Sequence, residues 1–157
     1  IPLQSSSQQP HKIVGEIVVL ASKLMQAAGD EHPLDIYLVS DLRQGSSLTV
    51  TMNYSYNGLP VIVQTDNGGH AVYAQVENGH ITSFKMVLRT FNKADGSIAF
   101  MSFYNAVDIL SKRFAQNNDP VKIDDFFNCY YVLDDAVLPA WGAKIAGSDE
   151  AFIVTQE

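Results

Sequence analysis

The chain has 157 residues and a single cysteine, Cys129, which makes it long enough to bury its own apolar core and excludes a fold stapled by intrachain disulfides. Seventeen acidic against ten basic side chains leave a formal charge of −7, with no basic cluster. That charge repels phosphate backbones and anionic headgroups and argues against nucleic-acid binding and electrostatic membrane binding.

Residues 1–9 are rich in Ser and Gln, have no periodicity and read as a linker. The first residue is Ile1 rather than Met, which leads us to expect a mature form from which an N-terminal membrane helix or signal has been removed. From Pro10 the spacing predicts a helix. Ile13, Ile17, Leu20 and Leu24 recur on one stripe, Val14, Val18, Ala21, Met25 and Ala28 widen it, and Lys12, Glu16, Lys23 and Gln26 face away. Gly29, with Pro33 soon after, ends it. Glu16 and Lys23 keep this segment from spanning a bilayer.

A first strand is predicted over Leu34 to Leu42. A central meander follows from Leu48 to Leu88. Its opening alternates strictly, with Leu48, Val50, Met52, Tyr54 and Tyr56 on one side and Thr49, Thr51, Asn53 and Ser55 on the other. Asn57-Gly58, Asn67-Gly68-Gly69 and Asn78-Gly79 mark the reversals. In the last strand of the meander, Phe84, Met86 and Leu88 are expected to share a face with His80 and Thr82.

The second half repeats the theme. Ser102 is placed to cap a helix whose inward residues are Phe103, Ala106, Val107, Leu110 and Phe114. Lys112 and Arg113 fall in its last turn, where cations suit the negative end of the helix dipole. Val121 to Leu133, Leu138 to Ile145 and Ala151 to Thr155 then read as strands, and Trp141, Leu138, Phe152 and Val154 are expected to pack under this helix against Val107, Leu110 and Phe114. The fold class is therefore α+β: a single domain over 10–157, made of two tandem units of about 10–92 and 97–157. Each is a helix plus an antiparallel meander, with helices on one face of antiparallel sheet.

No motif announces catalysis. His70 and His80 bracket one strand, and a rise of about 3.3 Å per residue separates its ends by roughly 30 Å, too far to share a metal. Asp124-Asp125 and Asp134-Asp135 lack the spacing of a calcium loop. No Gly-x-Ser-x-Gly elbow is present, and neither Gly58 nor Gly68-Gly69 leads into a helix that could cradle a phosphate. Cys129, in an apolar alternating run with no neighbouring base, reads as a small buried hydrophobe. We therefore expect no cofactor, no metal and no enzymatic activity. Adjacent pairs such as Phe126-Phe127 and Tyr130-Tyr131 put an aromatic on both faces of one strand, so some aromatics are expected to face a partner. Tyr54, Tyr56, Tyr73, Tyr130 and Tyr131 are the candidate contact residues.

Several segments taken together resemble a known family. They are Tyr54-Ser-Tyr-Asn-Gly-Leu-Pro-Val-Ile62, Val76-Glu-Asn-Gly-His-Ile-Thr-Ser-Phe84, Ser102-Phe-Tyr-Asn-Ala-Val-Asp-Ile-Leu110, Ile123-Asp-Asp-Phe-Phe-Asn-Cys-Tyr-Tyr131 and Leu138-Pro-Ala-Trp141. Their order and spacing resemble the PepSY-like repeat domain of the YycH/YycI regulators, which accompany a cell-envelope sensor histidine kinase in Gram-positive bacteria. The resemblance implies a PepSY/cystatin-like fold and an extracytoplasmic, membrane-anchored protein-interaction module of a two-component system. It also implies an envelope partner, the extracellular part of a sensor kinase. Two alternatives stay open: a PepSY-type inhibitor of a peptidase, and a small ligand-binding or hydrolase domain with a cystatin-like sheet. The latter requires a deep pocket lined by convergent polar groups.

Overall fold

The computed structural model describes residues 2, 10–29, 34–42, 47–63, 69–89, 91, 98–116, 120–134, 136–148 and 151–156, with the backbone alone for 34–42. The expected linker, apart from Pro2, and the expected turns at 43–46, 64–68 and 117–119 lie outside the described residues. The fold is α+β, and its elements run α1 (Pro10–Ala27), β1 (Leu34–Leu42), β2 (Ser47–Tyr56), β3 (Leu59–Ile62), β4 (Val72–Glu77), β5 (His80–Met86), α2 (Phe103–Phe114), β6 (Ile123–Leu133), β7 (Ala136–Ile145) and β8 (Ala151–Thr155). They form two compact units, neither continuous in the chain. Unit 1 is Ile1–Ser55 with His70–Asn92, and unit 2 is Tyr56–Gly69 with Lys93–Glu157. The segment carrying β3 thus leaves the first meander and builds the second unit.

In unit 1 the strands lie in the order β1-β2-β4-β5, all antiparallel. The helix α1 ends as its sequence dictates: Gly29 takes φ 73°, where an L side chain is strained. Ile13, Ile17, Ala21 and Met25, each four residues from the last, form its buried line. The stripe through Leu20 and Leu24 is displaced from the centre of contact. Leu20 packs at its margin and Leu24 is exposed, because the straight four-residue ridge, with small Ala21 in it, lets the helix come closest to the sheet. Against this ridge stand Leu48, Val50 and Met52 of β2, Val72, Ala74 and Val76 of β4, and Ile81, Phe84 and Met86 of β5. Burying one such aliphatic side chain fully is worth about 1.5–3 kcal/mol.

The face expected for β5 is overturned by a bulge. Gln75 pairs with Ser83 but Val76 pairs with Ile81, so Thr82 is the extra residue, its hydroxyl donating to the Gln75 carbonyl at 3.3 Å. One inserted residue reverses the alternation. Ile81 therefore joins Phe84 and Met86 under α1, while His80 and Leu88 are exposed.

Two hairpin turns follow from their sequences. Asn57 and Gly58 have φ 51° and 74°, and Asn78 and Gly79 have 51° and 73°. Positive φ at both central residues is the type I′ geometry that matches strand twist.

Unit 2 is a mixed sheet in the order β3-β6-β7-β8. β6, β7 and β8 are antiparallel neighbours, but β3 pairs parallel to β6 through Val61↔Tyr130 and Ile62↔Tyr131. The purely antiparallel expectation fails here because β3 meets β6 across a long connection, not a hairpin, and a long crossover permits parallel pairing. Ser102 caps α2 as expected, its hydroxyl accepting from the Asn105 amide at 3.2 Å. Beneath the helix lie Met101, Ala106, Leu110, Ala143 and Val154, with Ile109, Phe114, Phe126, Trp141 and Phe152 packed around them. Trp141, Phe152, Val154, Leu110 and Phe114 thus sit where the pattern puts them, and Leu138 and Val107 do not. Leu138 is three residues from Trp141 on one strand, and strand alternation sends it to the opposite face. Val107 is exposed, with Ile109 taking its place.

The face of this sheet away from α2 has its own small core: Ile62, Cys129 and Ala140 are buried among Phe127, Tyr131 and Ile153. Gly142 belongs to it for a steric reason. A Cβ on Gly142 would lie 2.6 Å from Cζ of Phe127, whose ring covers it from the neighbouring strand.

A candidate aromatic interaction surface

The five candidate tyrosines do not form one surface. Tyr54 is withdrawn from the set, because it is only 1% exposed. Its hydroxyl donates to the Val87 carbonyl at 2.9 Å and accepts from the Arg89 amide at 3.1 Å, and its ring meets Phe91 edge-on at 5.1 Å. It pins the strand leaving β5 to the end of β2 in unit 1. Tyr73 is half-buried in unit 1, on the opposite side of β4 from Val72 and Ala74. Tyr131 packs into the small core on the far face of unit 2. Only Tyr56 and Tyr130 meet, with ring centroids 5.2 Å apart. Tyr56 is 57% exposed and Tyr130 half-buried, and the Tyr130 ring also takes the edge of Phe100 at 5.4 Å.

A second aromatic group in unit 2 brings together Phe103, Phe126 and Trp141, residues that are far apart in the chain. Phe126 of β6 and Trp141 of β7 stack at 4.9 Å and 17°. Phe103, the first residue of α2, stands over both at 5.6 and 5.7 Å, and the Trp141 indole Nε1 donates to the Met101 carbonyl at 3.0 Å. This bond fixes where the segment before α2 crosses the sheet. Phe103 is nonetheless 51% exposed, and Tyr104 beside it is 83% exposed, its ring 5.9 Å from that of Phe103. Ile98 and Val107 add exposed apolar surface to the same unit. A signal for Tyr104 was in the sequence. It falls on the helical stripe of Asp108 and Ser111, a polar line that faces water, so a large aromatic there has no core to enter.

In unit 1, His70 Nδ1 lies 2.7 Å from Oδ1 of Asn53, both residues buried. A carbonyl oxygen only accepts, so this contact places a proton on Nδ1. Exposed His80 bonds the Asn78 carbonyl in its own turn at 3.0 Å, His11 is exposed on α1, and His32 lies outside the described residues. Among the described residues no group of three or more His, Cys, Asp or Glu is gathered as for a metal ion. Asp124 pairs with Lys122 at 3.2 Å at the start of β6, and Asp108 with Lys112 at 2.6 Å along α2. Exposed pairs of this kind contribute little. Cys129 is fully buried, and desolvation pushes its thiol from 9.0 up to about 12, so at neutral pH it holds its proton and is a poor nucleophile. No described helix is long and apolar enough to cross a membrane.

Compared with known families, curated proteins and solved structures, the chain matches none.

Proposed function

We propose that this chain is a non-enzymatic protein-interaction module acting on the extracytoplasmic side of the cell envelope, in the manner of a regulator of a sensor histidine kinase. The observation that carries the interaction reading is the pair at the start of α2, Phe103 and Tyr104, the one half and the other mostly exposed. Beneath Phe103 lies a stack, Phe126 on Trp141, against which its ring rests edge-on. Large aromatic rings held out in water by a fixed base lose little entropy on binding and concentrate interface energy. Tyr56, leaning on Tyr130 in the same unit, is a second anchor of this kind. The kinase and envelope parts of the reading rest on the family resemblance described above.

The test is a titration of the purified extracellular part of the envelope sensor kinase from the same organism against this protein, by calorimetry or surface plasmon resonance. Wild type binds, and the double variant Phe103→Ser, Tyr104→Ser binds at least about 30-fold more weakly, the scale of a hot-spot loss near 2 kcal/mol. Equal binding by both removes the aromatic pair, and no binding by wild type removes the kinase partner. Turnover of a peptide or ester library, abolished by no change outside the fold, overturns the non-enzymatic reading.

A further inference from the structure

Two hairpin turns of this chain share one conformation and differ in one neighbour. Asn57-Gly58, between β2 and β3, has φ of 51° and 74°, and Asn78-Gly79, between β4 and β5, has φ of 51° and 73°. Both asparagines are exposed. Glu77 pairs with His80, so Asn78 and Gly79 lie beyond the last rung of the ladder, where the Gly79 amide has no cross-strand acceptor. The residue that follows the first turn is Leu59, whose side chain offers no donor. The residue that follows the second is His80, exposed, with its Nδ1 3.0 Å from the Asn78 carbonyl oxygen. Because that oxygen only accepts, the contact places a proton on Nδ1.

We infer that Asn78 is a self-modification site, at which the Gly79 amide nitrogen attacks the Asn78 side-chain carbonyl and the Nδ1–H of His80 assists. Water is the only other reactant. The Gly79 nitrogen gives up its proton and bonds to Cγ of Asn78, the Cγ–Nδ2 bond breaks, and Nδ2 leaves with that proton as ammonia. Water then opens the succinimide ring at either carbonyl and leaves aspartate or isoaspartate. Glycine suits the attack because no side chain shields its nitrogen. The demanding step is the first, since a backbone amide is a very weak acid. Once deprotonated, an amide carries most of its negative charge on its oxygen, and the oxygen of the Asn78–Gly79 peptide is the one His80 bonds. A donor already aimed at the place where charge develops lowers the barrier without reorganisation. At Asn57 the corresponding side chain is Leu59, and that assistance is missing. The products act on the hairpin. Isoaspartate runs the chain through the side-chain carbon and lengthens a two-residue connection by a backbone atom, which a type I′ turn does not accommodate. Aspartate keeps the length and adds a negative charge next to Glu77.

Warm incubation of the full chain at neutral pH, followed by fragmentation mass spectrometry, reads each asparagine separately through the mass gained when an amide becomes an acid. Asn78 converts about fivefold faster than Asn57, the worth of one net hydrogen bond. His80→Leu, which makes the second turn chemically like the first, slows Asn78 by about the same factor and leaves Asn57 unchanged. Equal rates at the two turns in wild type, or a faster Asn57, overturn the inference, as does an Asn78 rate that His80→Leu does not lower. A second measurement needs no variant. In denaturant the turn no longer holds His80 against the Asn78 carbonyl, and the ratio of the two rates falls toward unity. A ratio that survives unfolding belongs to the sequence alone and refutes it.

Discussion

α1 lays a line of aliphatic residues, Ile13, Ile17 and Ala21, on a mainly aliphatic sheet face, whereas α2 sets small and branched residues among Phe126, Trp141 and Phe152. The first contact is non-directional and each side chain contributes in proportion to the area it hides. The second is oriented. Trp141 must stack on Phe126 while its Nε1 reaches the Met101 carbonyl, and Arg113 lies 5.3 Å over the Phe152 ring. Unit 1 should therefore lose stability in small increments, and unit 2 in large single steps at a few aromatic positions.

The sharpest way to break that contrast is Trp141→Ala. It removes a ring, a stack and a buried-end hydrogen bond together, and should cost about 3–5 kcal/mol, a fall of roughly 10 °C in Tm by differential scanning calorimetry. A shift within two degrees of wild type would show that the oriented contacts carry little. Gly142→Ala comes next: the added methyl meets Phe127 at a distance no pair of carbons tolerates, and we expect a loss of about 2 kcal/mol from overpacking. Relief of that loss by Phe127→Leu in the same chain would locate the strain, and its persistence would place it elsewhere.

Tyr54→Phe, in unit 1, strips the hydroxyl from between Val87 and Arg89 and is expected to cost about 1–2 kcal/mol by denaturant titration. It is an oriented contact in the aliphatic unit, so a negligible loss there would show that this one carries little. The Cys129 thiol supplies a pH test of the far face of unit 2. Its folded pKa, about 12, lies above its ordinary value of 9.0, so the unfolded chain gives up this proton first as pH rises. The contribution is whole below pH 9 and is lost between pH 9 and 12, at up to about 1.4 kcal/mol per pH unit. Wild type should fall more steeply than Cys129→Ala across that window, and parallel curves would mean that the thiol titrates alike in both states. The smallest effect is expected of Ile17→Val on α1, about 1 kcal/mol in the same titration, and a loss rivalling that of Trp141→Ala would erase the distinction between the two helices.

What could be read from the chain alone was local. The start of α1 at Pro10, the Ser102 cap, the two Asn-Gly turns and the span of β1 depend on residues within a few positions of one another, and each is found where its sequence puts it. Facing was legible only where alternation ran unbroken. The bulge at Thr82 reversed it for Ile81, and the buried pair Thr51 and Asn53 shows β2 covered on both faces, which a one-sided pattern did not suggest. Tyr54 was misread for a related reason. Its period matched Tyr56, but its partners, Val87, Arg89 and Phe91, are more than thirty residues away. The aromatic surface was half legible: the pattern points to Tyr56 and Tyr130, but it turns Phe103 inward on the stripe of α2, where the ring is half exposed at the helix's first residue.

The placement of β3 has a consequence for the order in which the chain can complete itself. Val61 and Ile62 are made about seventy residues before Tyr130 and Tyr131, the partners that hold them. On a chain growing from its N-terminus at about 5–20 residues per second, the parallel pairing of β3 with β6 waits several seconds for its second strand. Closing so long a loop is also entropically slow. A cut after residue 92, where the chain order invites one, would leave β3 on a different piece from β6, its parallel partner. Expression of the two halves as separate chains should therefore leave the C-terminal product without one strand of its sheet, and co-expression with the complement should restore it when β3 finds β6.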